Sequence, residues 1–253
     1  MCTFIILRRP KEQWPVLIAA NRDEMIDRPW LPPGRHWPDR PEVVAGKDVL
    51  AGGSWLGLND HGVVAGILNR HGSLGPAPGQ RSRGELVLEA LDHADARDAA
   101  AALAALDPRA YRSFNLIIAD NRDAFWLRHA DPTGTTPITV QDLKPGLAMI
   151  AAGDLDDPET PRLRRFRPRF AAAAAPDPGS RDWQEWEALL ADDGSAGEDG
   201  PEGAMRFKTT RGFATVSSAL IALPAVGTGD THPVFRFRTW QPAAEPWRDI
   251  AMR

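Results

Sequence analysis

The chain holds one cysteine, Cys2, directly after the first methionine and just before the apolar run Phe4-Ile5-Ile6-Leu7. The plain reading makes Cys2 a small apolar residue at the start of a strand. The chemical reading has Met1 removed and Cys2 as the new N-terminus, where the thiol attacks as nucleophile. Its α-amino group, with an ordinary pKa of about 8, then serves as the base. The groups such a thiol would need cluster at Asn21-Arg22-Asp23-Glu24. A cation beside a cysteine favours the thiolate, its reactive form, so Arg22 is a candidate polarising group. Asp23 could hold the α-ammonium or orient the arginine. Asn69 could offer its amide N–H to a developing oxyanion. Against these stand an ordinary surface ion pair for Arg22 and Asp23, which would add little stability, and a turn role for Asn69.

These residues meet only if the elements between them fold to bring them together. Residues 2–8 are β-branched and aromatic with no helical period, which predicts a strand, and residues 15–20 predict a second. So short a connection predicts an antiparallel hairpin that returns Asn21, Arg22 and Asp23 to the side of Cys2. The Pro- and Trp-rich stretch from Asp27 to Pro41 predicts an irregular loop, and Val43–Gly46 a short edge strand. Residues 52–59 and 62–69 predict a hairpin turning at Asn59-Asp60-His61-Gly62 and ending in Asn69. Ser82 and Glu85 have the spacing of a capping box at the head of a helix running to about His93. A second helix is expected from Asp95 or Asp98 to about Leu106. Strands follow at 114–120 and 124–128, with shorter ones at 139–143 and 147–152. Pro161 suits the first position of a basic helix reaching about Ala175. Residues 181–190 read as a helix with Trp183, Trp186 and Leu190 on one face. An acidic, glycine-rich loop at 192–204 precedes closing strands at 214–223 and 234–240. Strands joined mostly as hairpins, with helices between groups of them, predict an α+β fold of antiparallel sheets in a single domain over residues 1–253.

Composition removes several classes. The net charge of −4 and the lack of a basic block argue against a nucleic-acid partner. No apolar run approaches the roughly 20 residues that span a bilayer, so no integral membrane segment is expected. The apolar start is too short for a signal peptide, and Arg8-Arg9 follow it instead of preceding it, so a cytoplasmic location is expected. One cysteine and six histidines without metal-ligand spacing predict no metal site. Gly52-Gly53-Ser54-Trp55-Leu56-Gly57 lacks the pattern of a nucleotide loop. The expected partner is a small-molecule substrate or ligand.

Several motifs occur in order along the first half. They are Met1-Cys2-Thr3, Asn21-Arg22-Asp23-Glu24, Gly53-Ser54-Trp55-Leu56-Gly57, Val64-Ala65-Gly66-Ile67-Leu68-Asn69, Ser82-Arg83-Gly84-Glu85-Leu86-Val87 and Phe114-Asn115-Leu116. In these the chain resembles the NRDE family, also called transport-and-Golgi-organisation-2-like. That family is similar to the N-terminal-nucleophile (Ntn) hydrolases, above all the choloylglycine hydrolase and penicillin acylase branch. The resemblance implies a four-layer αββα sandwich and a cofactor-free cysteine hydrolase of a non-peptide amide. It implies Cys2 as nucleophile, Asp23 against the α-amino group, Arg22 near the branch's arginine, and Asn69 on the oxyanion side. Asn21, Trp55 and Arg70 are the expected substrate contacts. A second asparagine of that branch has no counterpart near Ala151-Ala152-Gly153-Asp154. Val216 stands where an arginine would precede Ser217-Ser218, with Arg211 the nearest substitute. The alternative is a non-catalytic carrier in haem trafficking or lipid and acyl-CoA metabolism. Haem would then be a bound ligand, and His61, His71 or Cys2 could each serve singly as its ligand. The absent asparagine and arginine favour the carrier, and the intact Cys2, Arg22 and Asp23 favour the enzyme.

Overall fold

A computed structural model describes residues 2–194, 200–227 and 231–252. Its strands in chain order are β1 (Thr3–Arg8), β2 (Val16–Met25), β3 (Trp30–Gly34), β4 (Val43–Asp48), β5 (Leu56–Asn59), β6 (Val64–Asn69), β7 (Phe114–Ala119), β8 (Ala124–His129), β9 (Thr139–Asp142), β10 (Gly146–Ile150), β11 (Phe213–Leu223), β12 (Val234–Thr239) and β13 (Arg248–Asp249). The helices are α1 (Gly84–Leu91), α2 (Ala96–Ala104), α3 (Pro161–Ala172) and α4 (Gln184–Ala191). All strand pairs are antiparallel, as the run of hairpins predicted. Contacts divide the chain into two compact units. One is Met1–Arg28 with Pro145–Ile250, and the other is Pro29–Lys144 with Ala251–Arg253.

The first unit is a six-stranded sheet in the order β10-β1-β2-β11-β12-β13. The predicted hairpin is present, with Thr3 opposite Asn21 and Arg8 opposite Val16. One face of the sheet carries α3 and α4. Ile5, Leu17, Ala19, Met149 and Leu220 pack there against Leu163, Phe166, Phe170, Trp186 and Leu190. Phe170 and Trp186 meet edge to face at 5.4 Å, a preferred aromatic geometry. Pro161 opens α3 as expected, because its missing N–H is one the first turn leaves without a partner anyway. The helix ends at Ala172, short of the predicted Ala175. Helix α4 begins at Gln184, later than the predicted start at 181, so Trp183 precedes the helix, although it is buried together with Trp186 and Leu190. Within the predicted acidic loop, Gly200–Gly203 form one 3-10 turn, while 195–199 lie outside the described residues.

The second unit is a seven-stranded sheet in the order β3 to β9, so every neighbour in space is a neighbour in sequence. Helices α1 and α2 cover one face, with Leu86, Leu91, Ala99 and Leu103 against Ala65, Leu116, Ile118 and Leu127. Three local expectations are corrected. The Asp27–Pro41 stretch is not all irregular, because Trp30–Gly34 forms β3 despite Pro32 and Pro33. It can do so because it is the sheet's edge, where a proline need not donate to a neighbour. For the same reason β4 is an interior strand and not the edge. The capping box does not form. The Ser82 hydroxyl instead accepts from the Gly84 N–H at 3.2 Å, and Glu85 pairs with Arg81 at 2.7 Å. Asp95 does cap α2, accepting from the Asp98 N–H at 2.8 Å. The predicted turn at Asn59 also forms, closed by Gly62 at φ +87°, a value that favours glycine.

Candidate active site

The tetrapeptide Asn21-Arg22-Asp23-Glu24 does not follow β2, as the sequence suggested, but lies inside it. The strand runs on to Met25 because β11 reaches far enough to pair with it, from Leu223 opposite Val16 to Phe213 opposite Met25. Apolar patterning could not show this, since the polar half of β2 gains its partner only from β11. The register of β11 shifts between Thr215 and Ser217, so Val216 is an extra residue opposite the Arg22–Asp23 pair. Its carbonyl accepts instead from the Trp240 N–H at 2.8 Å.

Successive side chains on a strand point to opposite faces, and this divides the tetrapeptide. Asn21 and Asp23 reach the face that carries the helices. The Asn21 amide donates to the carbonyls of Leu190, at 3.0 Å, and Met205, at 2.8 Å. Its carbonyl accepts from the Ser218 hydroxyl, which accepts in turn from the Trp240 indole N–H at 2.7 Å. Both N–H groups of this expected substrate contact are thus spent on the protein's own backbone, at the end of α4 and in the segment before β11. The Asp23 carboxylate accepts from Arg162 Nη1 at 2.8 Å on one oxygen and from the Thr215 hydroxyl at 2.7 Å on the other. Arg162 Nη1 also donates to Thr3 Oγ1 at 2.8 Å. Arg22 points to the opposite face and lies 3.8 Å from Glu24.

Cys2 sits just ahead of β1, half-buried, with its sulfur against the main chain of Asp23. The Asp23 N–H donates to Sγ at 3.4 Å, and the thiol faces the Asp23 carbonyl at 3.6 Å. The hairpin therefore joins Cys2 with Arg22 and Asp23 as the sequence predicted, but the electrostatics run the other way. Burial pushes the Cys2 thiol above its ordinary value, and the Asp23 charge pushes in the same direction, while the N-terminal charge, the Asp23 N–H and, least of the three, Arg22 oppose them. A shift in this direction favours the protonated thiol, so attack calls for a base.

The other expected site residues belong to the second unit. Asn69 ends β6 opposite Phe114, half-buried. Arg70 donates from Nη1 to the Asn115 side-chain oxygen at 2.7 Å, and the Trp126 indole N–H shares that acceptor at 3.1 Å. Trp55 lies over Gly46, where a Cβ would stand 2.3 Å from its ring, and meets Trp30 edge to face at 5.8 Å. His61 pairs with Glu42 at 3.0 Å, and His71 is exposed. Arg211 is exposed in the turn before β11. No group of three His, Cys, Asp or Glu side chains among the described residues could hold a metal ion. No helix among them is long and apolar enough to cross a membrane.

Sequence reasoning missed Arg162, Thr215 and Thr3. A signal for Arg162 was present: 162, 166 and 170 repeat at four-residue spacing on the apolar face of α3, where an arginine must find a buried partner.

The fold has known counterparts. A Caenorhabditis elegans N-acylethanolamine-hydrolyzing acid amidase ortholog superposes with a TM-score of 0.58 at 12% identity, over 90% of this chain and 94% of that one. A mutant conjugated bile acid hydrolase from Clostridium perfringens gives 0.53 at 10% identity, over 100% and 92%. Penicillin V acylase from Agrobacterium tumefaciens gives 0.53 at 13%, over 99% and 86%. At such identities the likeness establishes the fold, the Ntn-hydrolase one expected from the sequence. No curated protein matches the chain in sequence. The family model described as Transport and Golgi organisation 2 matches residues 1–199, well over half of the chain, and the chain belongs to that family.

Proposed function

We propose that the protein hydrolyses a non-peptide amide, with Cys2 as an N-terminal nucleophile once Met1 has been removed. The observation that carries this reading is the seat of the sulfur, fixed by the Asp23 main chain within reach of the Arg22 charge. The Cys2 α-amino group takes the thiol proton as sulfur bonds to the substrate carbonyl carbon. The same proton passes to the departing amine as the C–N bond breaks, leaving a thioester on Cys2. Water, deprotonated by the same amino group, then attacks the thioester, releasing the acid and restoring the thiol. Arg22 favours the sulfur as it sheds its proton. Asp23 acts through its backbone and cannot easily serve as base, because both its carboxylate oxygens are engaged by Arg162 and Thr215. The named activities of the three structural neighbours, an amidase, a bile acid hydrolase and an acylase, support the reaction class. Asn69, Arg70 and Trp55 carry no part of this reading.

The test joins intact mass with turnover. The expected result is loss of one methionine, a single iodoacetamide adduct, and release of amine from at least one N-acylethanolamine, bile acid conjugate or penicillin V. Cys2→Ala should abolish that release. Retained Met1, or binding of haem or acyl-CoA with no turnover of any amide, would refute the proposal in favour of the carrier.

A further inference from the structure

The sulfur is seated by the backbone of Asp23, and the side chain of Asp23 is held in turn by an arginine from a helix. We propose that Arg162 is a positioning residue for Cys2, its Nη1 clamping β1 to β2 by donating to both Thr3 Oγ1 and Asp23 Oδ2. The inference rests on the reading of Cys2 as nucleophile. The two bonds are 2.8 Å each, and they fall on the residue that follows Cys2 and the residue that cradles its sulfur. The Arg162 side chain is 3% exposed and the Asp23 side chain 0%, so water does not compete for either bond. The clamp is delivered from a rigid place. Arg162 stands in the first turn of α3, whose Leu163, Phe166 and Phe170 are locked in the core. The Phe207 ring lies 5.3 Å from the guanidinium carbon and covers it. The charges around the sulfur are Asp23 and Arg22 from β2, with Glu24 beside Arg22, Arg162 from α3, and the N-terminal ammonium, which favours the thiolate. Arg162 thus offsets the one carboxylate that opposes ionisation of the thiol, besides fixing the backbone on both sides of it.

The experiment is the rate of Cys2 alkylation by iodoacetamide against pH. It needs no substrate, and Cys2 is the only thiol in the chain. Failure of the amidase reading therefore leaves its outcome intact. Arg162→Met is expected to raise the midpoint of the profile by about one unit, slowing alkylation about tenfold at neutral pH. Adding Asp23→Asn to Arg162→Met should bring the midpoint back down, which a merely loosened fold would not do. Arg162→Lys should hold it near the parent value. A folded Arg162→Met protein with the parental profile overturns the proposal. If Arg162→Met does not fold, Thr3→Val decides. Losing one of the two clamp bonds should change the alkylation rate about threefold across the pH range, and an unchanged rate overturns the proposal.

Discussion

Asn21→Ala is expected to act on stability, with any loss of activity following from that. In the folded chain the amide satisfies two buried carbonyls, those of Leu190 and Met205, and accepts from Ser218. Alanine removes all three bonds. Ser218 keeps the Trp240 indole and can turn its hydroxyl elsewhere, but the two carbonyls stay buried without this donor. At about 1–3 kcal/mol for each buried group left unsatisfied, the two together cost about 2–6 kcal/mol. For a chain of this size roughly 2–4 °C of melting temperature goes with each kcal/mol, so a fall of about 4–24 °C is expected. Differential scanning calorimetry measures it. Amide hydrogen exchange should show the segment around Met205 opening before the rest of the first unit. Asn21→Asp should fall further, because it turns a carboxylate toward two carbonyls. A variant that melts within about 2 °C of the parent while losing turnover would refute the reasoning and return Asn21 to the substrate.

Two further predictions concern the second unit. His129 is buried with Nε2 against the Tyr111 carbonyl, and burial lowers its pKa below the ordinary 6.5. The unfolded chain therefore binds a proton that the folded chain resists, and stability should drop as the pH falls through about 6.5 and below. His129→Leu should flatten that part of a urea-midpoint profile, and an unchanged slope would contradict the assignment. Gly46→Ala should cost about 1–3 kcal/mol in urea unfolding, since a Cβ would meet the Trp55 ring at 2.3 Å. Pairing it with Trp55→Ala should recover much of the overpacking cost, and purely additive losses would show that the ring is not the obstacle.

Local pattern carried most of the fold. The β1–β2 hairpin, the helices beginning at Asp95 and Pro161, and the buried Trp183, Trp186 and Leu190 stripe were all legible, because each depends on residues close in sequence. The extent of β2 was not, because its polar half is stabilised by β11, about 190 residues later. Neither was β3, whose prolines argue against a strand unless its edge position is known. At the candidate site, residue types suggested the meeting of Cys2 with Arg22 and Asp23, but not the sign of the thiol's shift. That sign depends on how far burial and Asp23 outweigh the N-terminal charge, the Asp23 N–H and Arg22, a balance of depth and distance that composition does not contain. Arg162 remained hidden because a basic helix reads as a solvated one until its apolar stripe is drawn.

The contact between Cys2 and Asp23 is made by main-chain atoms at residue 23. Every amino acid except proline offers the same N–H and C=O, so the contact itself asks nothing of the side chain at position 23, which reaches the sulfur only through the partners that hold it, Arg162 and Thr215. A substitution at position 23 would therefore keep the atoms that touch the sulfur while releasing the Arg162 clamp that holds them in place. A hydroxyl in place of the thiol would inherit the same seat. The hairpin is in this sense a mount that would hold either side chain at position 2 against the same main-chain atoms.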